Sequence, residues 1–162
     1  MALLLVALGC SDPVHDRAVE SLGPEAPNVP IGPLHRPGQP CGECHGELGP
    51  AHRAFSLSGT VYRANSGDEP EHGLSVRAID SRGLQHTLKT NEAGSFFATS
   101  DEYAPVFPVW IKLERDEQVV EMRSAISREI SCATCHGRVG APAKVGQVYF
   151  EMPTIEGPGA GP

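Results

Sequence analysis

The chain has none of the short motifs that mark common catalytic chemistry. There is no G-x-S-x-G, no H-E-x-x-H and no glycine-rich phosphate loop, so a hydrolase elbow, a zinc protease site and a nucleotide cradle each lack their signature. It also has no basic cluster and no interleaved aromatics, and its net charge is −7. That excludes nucleic acid as a partner, because a phosphate-binding protein presents a basic patch. Long apolar runs are absent: the longest, at Met1 to Leu8, is far short of the roughly 20 residues that span a bilayer. No pattern predicts a helix of more than a turn or two, except beside the motifs described next. Cysteine is scarce, with five in 162 residues.

Four of those five form two matching pentapeptides, Cys41-Gly42-Glu43-Cys44-His45 and Cys132-Ala133-Thr134-Cys135-His136. Both read C-x-x-C-H, the attachment sequence for c-type haem. Thiols at this spacing can each form a thioether to one vinyl group of a single porphyrin. The adjacent histidine then offers its imidazole to the iron as proximal ligand. The expectation is two covalent haems, held by Cys41, Cys44, Cys132 and Cys135, with His45 and His136 on the irons. A four-cysteine zinc site is the main alternative. It leaves both histidines unexplained, and the gap between the pairs far exceeds the roughly 15–20 residues usual in a zinc ribbon. A thioredoxin-type motif would need a βαβ pattern, which is missing here.

The ends of the chain hold much of its 15 prolines and 18 glycines. Residues 1–10 fit the apolar part of a secretory signal. Val6-Ala7-Leu8-Gly9-Cys10 resembles a bacterial lipobox and accounts for the fifth cysteine, so Cys10 is expected to carry lipid. This places the protein in the periplasm or on the outer cell surface of a Gram-negative bacterium, with a membrane contact through the anchor. Residues 11–40 read as a Pro-rich spacer through which neither helix nor sheet runs. The first haem segment is 41–53 and the second 127–153. Residues 154–162, rich in Gly and Pro, read as a disordered tail.

Between the motifs the pattern changes to period two. Strands are predicted at 55–63, 74–82, 85–90, 95–99, 106–115 and 118–123, and together they predict an all-β sandwich over 54–126. Phe55, Leu57, Gly59 and Val61 should share one face, with Ser56, Ser58, Thr60 and Tyr62 on the other. Phe107, Val109, Ile111 and Leu113 form the clearest inward face, and Pro108 marks an edge or a break near that strand's start. Ser58-Gly59-Thr60-Val61-Tyr62, Gly73 to Ala78 and Lys89 to Phe96 resemble the carboxypeptidase regulatory-like family. That resemblance implies a transthyretin-like sandwich of the immunoglobulin type, serving as a module without catalysis. An even number of reversing strands returns the chain to where it entered. Both motifs are therefore expected within about one strand length of each other, roughly 20 Å, close enough for their haems to exchange electrons.

Each iron has a second axial position. His35 and His52 flank the first motif and are candidates. Met122 and Met152 are the methionine candidates, although Met122 equally fits a core position. His86 shares a strand face with Leu88 and reads as a sandwich residue, and His15 and His72 have no assigned role. The expected function is single-electron transfer between redox proteins outside the cytoplasm, without catalysis. A small dihaem peroxidase and a zinc-binding structural module are the alternatives.

Overall fold

Six short strands carry the fold. The computed structural model describes residues 12–25, 28–29, 31–138 and 144–151. Its strands are β1 (Phe55–Thr60), β2 (Ser75–Ile79), β3 (Gln85–Lys89), β4 (Ser95–Thr99), β5 (Trp110–Arg115) and β6 (Gln118–Glu121). All six lie within the predicted segments, trimmed at their ends by turns. The protein is mostly β, with two antiparallel sheets: β1 with β4, and β3-β2-β5-β6 in that order.

Period two puts every second residue on the inner face. Leu57, Phe96 and Ala98 of the small sheet meet Val76, Ala78, Ile111 and Leu113 of the large one in a single buried cluster. Each large apolar side chain so buried contributes about 1.5–3 kcal/mol. Val109 joins the cluster and Phe107 packs against it. Pro108 stands just before β5, which is an internal strand between β2 and β6, so the break near the strand's start is the reading that holds. His86 lies opposite Ala78 and stacks on Tyr103 at 4.9 Å, a sandwich residue as expected.

Two turns fix the strand order. Before β4, Asn91 Oδ1 accepts from the backbone N–H groups of Ala93 (2.9 Å) and Ser95 (3.0 Å). Gly94 follows at φ +70°, and a Cβ there would lie 2.3 Å from the Val61 carbonyl oxygen. Only glycine satisfies both demands. Between β2 and β3, the buried Asp80 carboxylate accepts from the N–H groups of Arg82 and Leu84 at 2.9 Å and of Val106 at 3.0 Å.

Three expectations need correction. Residues Pro13–Ser21 form a nine-residue helix, α1, inside the stretch read as a spacer without helix. Pro13 sits in the first turn, where its missing N–H is not needed, and no further proline occurs before Pro24. Asp12 caps it, accepting from the N–H groups of Val14 (3.0 Å) and His15 (3.2 Å). Next, residues 31–40 cover the small sheet: Gly38 N–H donates to Thr60 Oγ1 (2.9 Å) and Asn91 Nδ2 to the Pro33 carbonyl (2.6 Å). Lastly, Phe150, from the stretch read as a haem segment, is fully buried in the core. It hangs on Tyr62 through paired backbone hydrogen bonds, Tyr62 N–H to Val148 O and Phe150 N–H to Tyr62 O, both 2.9 Å.

The Asp80 turn makes stability depend on pH. The N–H donors, Val106 foremost, hold its carboxyl down from an ordinary 3.8 to about 2. A carboxyl depressed on folding contributes its stabilisation in full above the unfolded value and loses it as pH falls through the folded one. Asp80→Asn should therefore lower the midpoint of chemical denaturation near neutral pH. The gap from wild type should narrow between pH 3.8 and about 2. A gap independent of pH in this window would show that the charge of Asp80 is not what holds the turn.

Candidate functional site

Both C-x-x-C-H segments adopt the same tight turn. In the first, α2 (Gly42–His45), the Cys41 carbonyl accepts from the N–H groups of Cys44 (3.1 Å) and His45 (2.8 Å). In the second, a single 3₁₀ turn over Cys132–Thr134, the Cys132 carbonyl accepts from Cys135 (3.1 Å) and His136 (2.8 Å). A turn of this pitch brings residues three and four apart to one side. Each motif thus presents two thiols and an imidazole together.

The fold sets the two motifs side by side, as the strand count requires. Their meeting place is the free edge of β1. Ser58 donates its N–H to the Ile130 carbonyl at 2.7 Å, its hydroxyl reaches the same oxygen at 3.2 Å, and its backbone bridges to Ser131 in parallel. Gly42 abuts the same two residues: a Cβ there would lie 3.2 Å from Ile130 Cγ1 and 3.6 Å from Ser131 Cβ. Ile130–Ser131 is thus a wedge between β1 and α2, and Cys132 follows directly. Burial pushes the Cys132 thiol up to about 12, and the nearby Cys41 adds to the effect. Burial also raises the Cys41 thiol, against a lowering contact from the Ser58 side chain. Cys135 is exposed.

The covering segments explain a departure from simple alternation. Ser56, Ser58 and Thr60, predicted on the outer face, are all buried. A bulge between Phe55 and Leu57 takes Phe55 out of the inner row. It stacks on Phe97 at 4.7 Å and on the His45 ring at 4.0 Å, with 4° between the planes. Periodicity cannot foresee a bulge, because one extra residue reverses the face of everything before it.

The two histidines share a second feature. His45 Nδ1 lies 2.7 Å from the Arg53 carbonyl, and His136 Nδ1 lies 3.0 Å from the Gly146 carbonyl. A carbonyl only accepts, so Nδ1 carries a proton, and in the neutral ring Nε2 is the nitrogen with the lone pair. This is the arrangement by which proteins orient a ligating imidazole. Gly146 takes φ +97°, and its carbonyl also accepts from Gly137 N–H (3.1 Å), which pins this strap to the second motif. Lys144 Nζ fastens the same strap to the carbonyls of Ala133 (2.8 Å) and Thr134 (2.6 Å).

A cavity of about 460 Å³ opens at the first motif, between the outer face of the small sheet and residues 31–40. Cys41, Cys44 and His45 line it, with Phe55 and Phe97 on one wall and His35 among the covering residues. The His35 and His45 ring centres are 5.9 Å apart. Their planes are 27° from parallel, so the two rings face each other, and each Nε2 would have to turn to reach an iron bound between them. The His35 Nδ1 contact with Gly32 N–H, at 3.5 Å, is too long to fix the tautomer. An apolar chamber with two thiols and two facing imidazoles fits a haem. His52 is exposed in the loop after the motif and does not line this cavity. Met122 packs against the core. Met152 and Cys10 lie outside the described residues.

Among the described residues, no three His, Cys, Asp or Glu side chains converge as a metal-holding group, and no helix is long and apolar enough to cross a membrane. His15 lies in a polar stretch, and nothing in its sequence neighbourhood signals a role. Its Nδ1 faces the Glu43 carboxylate of the first motif at 3.6 Å, and its Nε2 is buried without a partner.

Seating the second motif depends on Gly59. A Cβ there would lie 2.7 Å from Phe96 Cζ and 2.8 Å from Cys132 Sγ. Gly59→Ala should destabilise the haem-free protein by about 1–3 kcal/mol, the usual cost of overpacking. Urea denaturation measures this, and a stability equal to wild type would show that Cys132 is not seated against this strand. No family model, curated protein or solved structure matches the chain, and the chemistry of the site rests on its own residues.

Proposed function

We propose that this protein is an exported dihaem c-type cytochrome that passes single electrons between partner proteins outside the cytoplasm. When bound, haem supplies the one-electron iron couple. The chain supplies attachment at Cys41 and Cys44, and at Cys132 and Cys135, with His45 and His136 as proximal ligands. The carrying observation is the matched state of the two histidines, each with Nδ1 tied to a carbonyl and Nε2 free. A chance C-x-x-C-H has no reason to orient its imidazole, and two such sequences have less reason to do so alike. His35, which shares the cavity with His45, would be the second ligand at the first iron. The β1 junction supports electron exchange between the two sites. The two packed sheets serve as an immunoglobulin-type scaffold, and lipid at Cys10 tethers the protein to a membrane.

Maturation in a host that attaches haem should yield a protein that keeps its red colour when denatured and carries the mass of two haems. Cys41→Ala with Cys44→Ala should remove one of them. A colourless product, or stoichiometric zinc in its place, would end the cytochrome reading.

The axial assignment has its own test. His35→Ala should convert one of the two haems from a six-coordinate low-spin to a high-spin spectrum, while His52→Ala leaves both unchanged. Electron paramagnetic resonance of the oxidised protein reads this directly, and an unaltered spectrum in His35→Ala removes His35 from the iron.

A further inference from the structure

The walls of the cavity at the first motif carry no acidic residue, although the chain as a whole is acidic. The protein has 20 acidic and 13 basic residues, yet the cavity walls include two arginines, Arg36 and Arg53, and no Asp or Glu. Most of the remaining wall is apolar, from Leu22, Ile31 and three phenylalanines, and Ile31 stands 89 % exposed at its margin. Such a chamber suits a ligand with an apolar body and an anionic end.

The two arginines are not equivalent. Arg36 adopts φ +51° and spends its guanidinium within the chain. It donates to the carbonyls of Leu22 (3.3 Å) and Gly23 (2.7 Å) and to Gln39 Oε1 (2.9 Å), and lies 3.5 Å from Glu25. Those bonds latch the end of α1 to the covering segment. Arg53 forms no ion pair among the described residues. Glu102, a carboxylate within reach of its charge, is already bonded to the N–H and hydroxyl of Thr99, both at 2.9 Å. The Arg53 carbonyl holds His45 Nδ1 at 2.7 Å, so the residue is tied by its backbone to the ring that faces the cavity.

We propose that Arg53 is the carboxylate-binding residue of this cavity, with its guanidinium pairing with the acidic edge of the bound group. The proposal rests on the dihaem reading, in which that edge is the haem propionates. A guanidinium offers a planar fork of donors that matches a carboxylate in two parallel hydrogen bonds. One residue would then do two jobs: its carbonyl holds the His45 imidazole, and its exposed side chain would neutralise the carboxylates of the bound group. A cation held beside a redox centre also disfavours the oxidised form, which carries one more positive charge, by an interaction that strengthens as water is excluded.

Potentiometric titration of the matured full-length protein tests this. The wave belonging to the first motif is the one lost in Cys41→Ala with Cys44→Ala. Arg53→Gln keeps the backbone carbonyl and removes only the charge, so it should shift that wave to lower potential. Arg53→Lys should recover most of the shift. Arg77→Gln, which removes a guanidinium paired with Glu114 on the large sheet, should leave the wave in place. A wave unmoved by Arg53→Gln, with both haems still attached by mass, overturns the assignment. If Arg53→Gln loses the first haem, Arg53→Lys decides: recovery of the haem supports the pairing, and continued loss overturns it. A wild-type chain that matures without haem fails at the earlier step, the dihaem reading itself.

Discussion

Ser58 donates its backbone N–H to the Ile130 carbonyl across 2.7 Å, and much of the molecule's organisation follows from that bond. β1 lies in a sheet of only two strands, so one side of its backbone has no ladder partner. Ser58 is fully buried, and a buried donor left without an acceptor costs about 1–3 kcal/mol. The chain meets this need with a segment from 72 residues downstream. That segment is the one that enters the second C-x-x-C-H. Satisfying the strand edge and bringing the motifs together are therefore one event. Tyr62 extends the same edge through Val148 and Phe150, so the strap behind the second motif is anchored to β1 as well.

The outer face of β1 is covered for the same reason. A row of hydroxyls, Ser56, Ser58 and Thr60, would be unremarkable facing water. Buried, it needs partners, and it finds them in the Ala98, Thr99 and Ile130 carbonyls, Ser95 and the Gly38 N–H. These bonds fasten the covering segment and leave one apolar chamber under it. The phenylalanine pair on its wall exists because a bulge takes Phe55 out of the core row. Phe150, held on Tyr62 beyond the other end of β1, adds a large buried side chain to the core there.

Within this frame the two motifs are alike in backbone and differ in surroundings. Each holds its histidine by Nδ1 to a carbonyl supplied from outside the motif, Arg53 eight residues on and Gly146 ten residues on. The first motif adds an aromatic stack and a half-open cavity. The second has one sunken and one exposed cysteine. Haems held at the two motifs, as proposed, would differ in potential, since burial, charge and hydrogen bonding all tune an iron centre.

The sequence by itself determined the features that depend on neighbours along the chain. The two pentapeptides, the positions of the six strands and the turn ending in Gly94 were legible because thiol spacing, β-type patterning between turn residues and a left-handed glycine are local properties. Helix α1 was local too and was still missed, since a count of prolines over 11–40 hid the proline-free window after Pro13. Tertiary structure alone decided the rest: the Ile130–Ser131 wedge, the bulge at Phe55, the burial of Phe150, and the pairing of His45 with Arg53 and of His136 with Gly146. The distinction between His35 and His52 belongs here as well. Both flank the first motif in sequence, but only His35 lines the cavity. Such features depend on which distant carbonyl reaches a buried donor. Carbonyls are identical at every residue, so no side-chain pattern announces the answer.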